Sequence, residues 1–262
     1  MPHSRHSGHD QHVRPANGTV WLSHQQPLAV HEAMSMKRVP EPCSVVRENP
    51  HPGRGTVLVL GTPRGGTSVV AGICHMIGVP MGLDIDHSNV EDREFRRIMQ
   101  SDERTQLLPG FLERLHNSAP IAGAKDPTVI DHLHEVTELL PDPVYVVASR
   151  DVYTATQREV VEGHDFVQCL RSTMKRKYAI IDFVESTLHP VIVVSYERLM
   201  QDPIAAIRSL GEFLMGGVTE QLIRRTAEMV RPHADMPNDV DFVDSRTRYD
   251  RELSRLGGAL SA

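Results

Sequence analysis

Four short runs of β-branched and apolar residues punctuate the chain: Thr56 to Leu60, Ile121 to Ala124, Val144 to Ala148 and Val191 to Val194. Each is continuously apolar rather than alternating, the pattern of strands covered on both faces. Helical spacing fills the intervals. Thr67 to Ile77 sets Val69, Val70, Ile73 and Ile77 on one side, and Asp165 to Thr187 forms a longer mixed stretch. Asp202-Pro203 supplies an N-cap and a first-position proline ahead of Ile204, Ile207, Leu210 and Leu214, and Thr219 opens a further segment through Val230. Strands alternating with helices imply right-handed crossovers. The prediction is an α/β fold, a three-layer parallel sheet with helices on both faces. No internal repeat is visible.

The first fifty or so residues lack any sustained period of 2 or 3.6, so residues 1–52 are expected to form an irregular arm. It holds seven of the 15 histidines: His3, His6, His9, His12, His24, His31 and His51. The first four are three residues apart with no helix-forming pattern around them, so no structural metal site is expected. Residues 53–262 are assigned to the α/β domain with a C-terminal helical segment. Lys and Arg number 28 against 34 Asp and Glu, a formal charge of −6. That balance argues against a nucleic-acid partner or a polybasic membrane binder. No apolar run approaches a bilayer span. Cys43, Cys74 and Cys169 are too scattered for a disulfide framework or a metal knuckle. The start, Met1-Pro2-His3-Ser4-Arg5-His6, has no apolar signal region, so a cytoplasmic location is expected.

Chemistry concentrates in Gly61-Thr62-Pro63-Arg64-Gly65-Gly66-Thr67-Ser68, between the first strand and the first helix. Doubly wound sheets bind ligands at such a place. Gly61, Gly65 and Gly66 allow close backbone approach, so the amides of Gly65, Gly66, Thr67 and Ser68 can converge on an anion at the helix start. A tight turn without a ligand is the plainer alternative. The spacing matches the GxxxxGK[ST] phosphate loop except that Thr67 replaces the lysine that reaches the β- and γ-phosphates. Positive charge comes instead from Arg64.

Pro63-Arg64-Gly65-Gly66-Thr67-Ser68 resembles the loop of sulfotransferases that use 3′-phosphoadenosine 5′-phosphosulfate (PAPS), approximately P-[RK]-S-G-T-[TS], departing at Gly65. Val146-Val147-Ala148-Ser149-Arg150-Asp151 is similar to the family's second motif, in which a strand-end arginine binds the 3′-phosphate. A surface pair of Arg150 with Asp151 is the alternative. The family usually has a serine eight residues after that arginine. Here Arg158 stands there, able to hold the same phosphate by charge. Val194-Ser195-Tyr196-Glu197-Arg198-Leu199-Met200-Gln201-Asp202-Pro203 resembles the family's Y-E-x-L-x-x-D-P segment and reads as architectural. The three segments occur in family order over roughly Thr56 to Leu214.

The resemblance implies a P-loop type of nucleotide-binding fold. The implied reaction moves a sulfuryl group from PAPS to a hydroxyl or amine of a small-molecule, sugar or lipid-linked acceptor, without a metal. Fixed donors aimed at the leaving oxygen would carry most of the catalysis, Arg64 among them. Lys125, in a K-D-P segment similar to one in bacterial sulfotransferases, would steady that oxygen; a structural Lys125–Asp126 pair is the level alternative. Glu91, in Asn89-Val90-Glu91-Asp92-Arg93-Glu94-Phe95, ranks first as general base, then His87, then Asp92 and Glu94. Arg246, Arg248 and Arg251 read as a charged helix surface. Two competitors stand beside this reading. One is a small-molecule or nucleotide kinase with a degenerate loop, Asp126 then being a magnesium ligand. The other is a catalytically silent nucleotide-binding protein.

Overall fold

The structure, a computed structural model, describes residues 41–86, 88–160 and 164–230. In chain order these form strand β1 (Cys43–Arg47), strand β2 (Gly55–Leu60), helix α1 (Thr67–Met76) and the two-residue strands β3 (Ile85–Asp86) and β4 (Glu91–Asp92). Helices α2 (Arg93–Met99) and α3 (Arg104–Ser118) lead to strand β5 (Ile121–Lys125), a 3-10 turn (Pro127–His132) and helix α4 (Leu133–Thr137). Strand β6 (Pro143–Ser149) follows, with α5 (Val152–Val160), α6 (Phe166–Ser186) and strand β7 (Val191–Ser195). Helices α7 (Tyr196–Gln201), α8 (Pro203–Met215) and α9 (Glu220–Met229) complete the described chain.

The main sheet has the order β1-β7-β6-β2-β5. Its four inner-sequence strands are parallel, Val57 lying opposite Gly123 on β5 and Val144 on β6. The continuously apolar runs are these four strands. Alternate residues of β2 go to opposite sides. Val57 and Val59 pack with α1 and α8 through Val70, Ile73, Ile207 and Leu210. Leu58 and Leu60 pack with α2, α3 and α6 through Phe95, Phe111, Leu115 and Phe183. Two cores sandwich one sheet, which is the predicted three-layer arrangement.

From β2 the chain moves outward to β5, then crosses back to β6 on the other flank. The strand order therefore reverses beside β2, and the crevice lies outside the carboxyl ends of β2 and β6. The cap read from sequence sits where expected: Asp202 accepts from Ala205 N at 3.0 Å with Pro203 at the first turn of α8. Asp165 caps α6 in the same way, accepting from Gln168 N at 2.9 Å.

One element falls inside the segment expected to be irregular. β1 runs antiparallel to β7 at the sheet edge, with Val45 and Val46 each 46% exposed. An edge strand is covered on few sides and leaves little apolar pattern. It is fixed by backbone pairing and by Arg47, whose guanidinium donates to Val184 O at 2.6 Å. Residues 1–40, with His3, His6, His9 and His12, lie outside the described residues, as do Arg246, Arg248 and Arg251. Among the described residues, no helix is long and apolar enough to cross a membrane.

Candidate active site

The turn after β2 is built from two left-handed residues, Arg64 at φ 57° and Gly66 at φ 86°. Gly65 N donates to Thr62 O at 2.9 Å and closes it. Gly66 is the N-cap of α1 and, being glycine, offers no side chain to cap it. The amides of Thr67 and Ser68 thus stay available to an anion, with the positive end of a ten-residue helix behind them. Only glycine fits at position 66: a Cβ there would stand 2.3 Å from a ring carbon of Tyr196. Arg64 has no such freedom, and its conformation stores strain on the order of 1–3 kcal/mol. The strain turns its carbonyl toward the end of β6, where Arg150 Nη1 donates to it at 3.0 Å.

Arg150 sits just past β6 on the other wall of the crevice. Its guanidinium lies 4.3 Å from the centre of the Tyr196 ring, a cation–π contact. Its Nε is buried without a hydrogen-bond partner among the described residues. Burial pulls the Arg150 guanidinium below its ordinary value; the Tyr196 hydroxyl opposes this and the Arg158 charge adds to it. Arg150 and Arg158 thus place two guanidiniums on the lining of one cavity. Asp151 is not the partner of Arg150. It caps α5, accepting from Thr154 N at 2.8 Å, while Lys177 donates to the Arg150 carbonyl.

The third wall comes from the end of β5 and from β4. Lys125 is 2% exposed, and its ammonium donates to Glu91 Oε1 at 2.6 Å, Asn89 O at 3.1 Å and Ser68 Oγ at 3.2 Å. Burial pushes the Lys125 ammonium down in pKa, and the Glu91 carboxylate pulls the other way. Glu91 Oε2 accepts from Asn89 Nδ2 at 2.9 Å and lies 3.4 Å from Arg96 Nη1. Lys125 therefore pairs with Glu91 rather than with its sequence neighbour. Asp126 caps the 3-10 turn, accepting from Thr128 N at 2.7 Å.

A cavity of about 630 Å³ opens between these walls. Of the residues singled out from sequence, Arg64, Gly66, Thr67, Ser68, Glu91, Lys125, Arg150 and Arg158 line it. Gly65 belongs to the loop but not to the lining. His87 lies outside the described residues. The neighbouring carboxylates are otherwise engaged. Asp92 is fully buried, capping α2 through Phe95 N at 2.8 Å and binding Leu83 N and Asp84 N at 2.7 Å. Glu94 pairs with Arg114 at 2.7 Å on the surface.

Sequence reasoning missed three contributors. Tyr196 is both the N-terminal residue of an architectural helix and the platform under Arg150, and nothing in its spacing announces the second role. Asn89 and Arg96 act on Glu91 from either side. Arg96 is five residues after Glu91, on α2, so the helix that Asp92 caps carries it back toward the carboxylate.

Among solved structures, the chain is similar to the sulfotransferase domain from the curacin biosynthetic pathway, at 14% identity over 73% of this chain and 83% of that one, with a TM-score of 0.48. It is also similar to sulfotransferase STF9 from Mycobacterium avium, at 16% identity over 77% of this chain and 76% of that one, with a TM-score of 0.48. No curated protein matches it. A sequence model of the Sulfotransferase family matches residues 78–219, a span that begins after the glycine-rich turn and still takes in Glu91, Lys125, Arg150, Arg158 and Tyr196. That match covers more than half of the chain, and the protein belongs to the sulfotransferase family.

Proposed function

We propose that the protein transfers a sulfuryl group from PAPS to a hydroxyl or amine of a small acceptor. The observation that carries this reading is the pair of anion sites flanking one cavity. One is the start of α1 beside Arg64, where the N-cap Gly66 has no side chain; the other is Arg150, with Arg158 nearby on the same lining. A donor with phosphoryl groups at both ribose ends has an anion for each. Thr67, 5% exposed, stands where an ATP enzyme has lysine, so the loop offers amides and a guanidinium in place of an ammonium.

In the proposed step the acceptor oxygen or nitrogen bonds to sulfur. The bond from sulfur to the 5′-phosphate oxygen breaks, and the electron pair stays on that oxygen. The acceptor proton passes to a carboxylate; Glu91 and Glu159 both line the cavity, and Glu91 is the one held beside Lys125. Lys125 sits between Glu91 and Ser68, from which it can meet the charge growing on the leaving oxygen. The products are the sulfated acceptor and adenosine 3′,5′-bisphosphate.

Thermal denaturation tests the binding half. Adenosine 3′,5′-bisphosphate in the presence of a chelator is expected to raise the unfolding temperature, with stabilisation of about 2.7 kcal/mol at a hundredfold excess over Kd. No shift with the bisphosphate would reject the reading, and a larger shift with ATP that requires magnesium would favour a kinase. PAPS turnover against a panel of alcohols, phenols, glycosides and amines tests the transfer half. Tight bisphosphate binding with no turnover would mark a silent nucleotide-binding protein.

A further inference from the structure

The turn that carries Glu91 is strained at a residue with no chemistry of its own. Val90 adopts φ 58°, a region that β-branched residues rarely enter, and its side chain is wholly buried in the core beside α1. Asp86 O holds the turn, accepting from Val90 N at 2.8 Å and from Asn89 N at 3.2 Å. Strain of this kind persists only where the surroundings over-determine it, and it collects where geometry serves function. The consequence falls on Asn89. Its carbonyl accepts from Lys125 Nζ at 3.1 Å, its Oδ1 accepts from Glu91 N at 3.1 Å, and its Nδ2 donates to Glu91 Oε2 at 2.9 Å. One residue touches both members of the buried ion pair.

We propose that Asn89 is a positioning residue that orients the Glu91 carboxylate and the Lys125 ammonium, and that the strained Val90 turn holds it in place to do so. The kinetic part of this proposal rests on the sulfuryl-transfer reading; the placement of the pair does not. Asn89 assigns the two carboxylate oxygens different duties, engaging Oε2 and leaving Oε1 to Lys125. An aspartate at position 89 separates this role from a structural one. It keeps the acceptor for Glu91 N, and hence the turn, but replaces the Nδ2 donor by a second carboxylate.

The test uses the full chain with Asn89→Asp and Asn89→Ala. Both variants are expected to shift the proton–nitrogen NMR signal of the Lys125 ammonium while leaving the affinity for adenosine 3′,5′-bisphosphate within about twofold. Both should lower kcat for PAPS turnover about 10- to 100-fold, as small misplacements of catalytic groups do. In a Glu91→Gln background the same substitutions should have no further effect on kcat, because residues acting as one unit are non-additive. Asn89→Asp with an unmoved Lys125 signal and wild-type kcat overturns the proposal. A wild-type protein that binds the bisphosphate but never consumes PAPS defeats the transfer reading instead, and the Lys125 signal still decides whether Asn89 holds the pair.

Discussion

Arg150 is asked to stay charged in a half-buried position, near a second guanidinium, with its Nε buried and without a partner among the described residues. What offsets this is a carbonyl turned toward it by Arg64 and an aromatic face beneath it. The planar guanidinium serves both at once, lying over the ring while Nη1 reaches the carbonyl, which the single ammonium of lysine does not do in that geometry. Arg150→Lys is therefore expected to weaken adenosine 3′,5′-bisphosphate binding about 10- to 100-fold, the loss of one or two charge-assisted hydrogen bonds. Titration calorimetry checks it, and unchanged affinity would remove Arg150 from the proposed nucleotide site. The position of this residue was legible in sequence because it ends an apolar run. Its partner was not. Tyr196 follows a different strand 46 residues later, and only the β6–β7 pairing, with Ser149 opposite Ser195, brings the two together.

At the scale of elements, the glycine-rich turn after β2 and α1 are one device. β2 delivers the turn to the point where strand order reverses, and Gly66 lets α1 begin without a cap while Tyr196 closes over the glycine. Gly66→Ala forces an L-residue to φ 86° and sets a methyl group against the ring. The expected result is a loss of about 1–3 kcal/mol in stability by urea denaturation, together with weaker bisphosphate binding as the ring is pushed from Arg150. Wild-type values for both would mean that the ring moves freely. The four parallel strands and the late helices could be read from sequence because burial on both faces, or a proline after an aspartate, leaves a local mark. β1, β3 and β4 leave none. They are two to five residues long and exist through their partners. α3 did carry a signal, Leu108, Phe111, Leu112 and Leu115 at helical spacing, interrupted by Pro109 in its second turn.

At the scale of the whole molecule, the Lys125–Glu91 pair is at odds with the fold that contains it. The pair lies at the rim of a sheet whose two faces are packed with apolar side chains, and both side chains are less than a tenth exposed. Taking two charges out of water costs several kcal/mol per ion, and their attraction repays it only in part. A neutral pair of similar volume would serve the fold as well. Lys125→Met alone should destabilise the protein by about 3–5 kcal/mol, because it leaves the buried Glu91 carboxylate with Asn89 and the half-exposed Arg96 in place of its buried counter-ion. Adding Glu91→Gln removes that charge and still offers Asn89 Nδ2 an oxygen. The double variant should recover to within about 1 kcal/mol of wild type, or exceed it, while PAPS turnover stays abolished. Urea denaturation of the three proteins measures this. If the double variant is as unstable as Lys125→Met, the pair is a structural strut and its burial needs no catalytic explanation. If it recovers while turnover is lost, the charges are kept at the expense of stability, and the cavity they face is the reason.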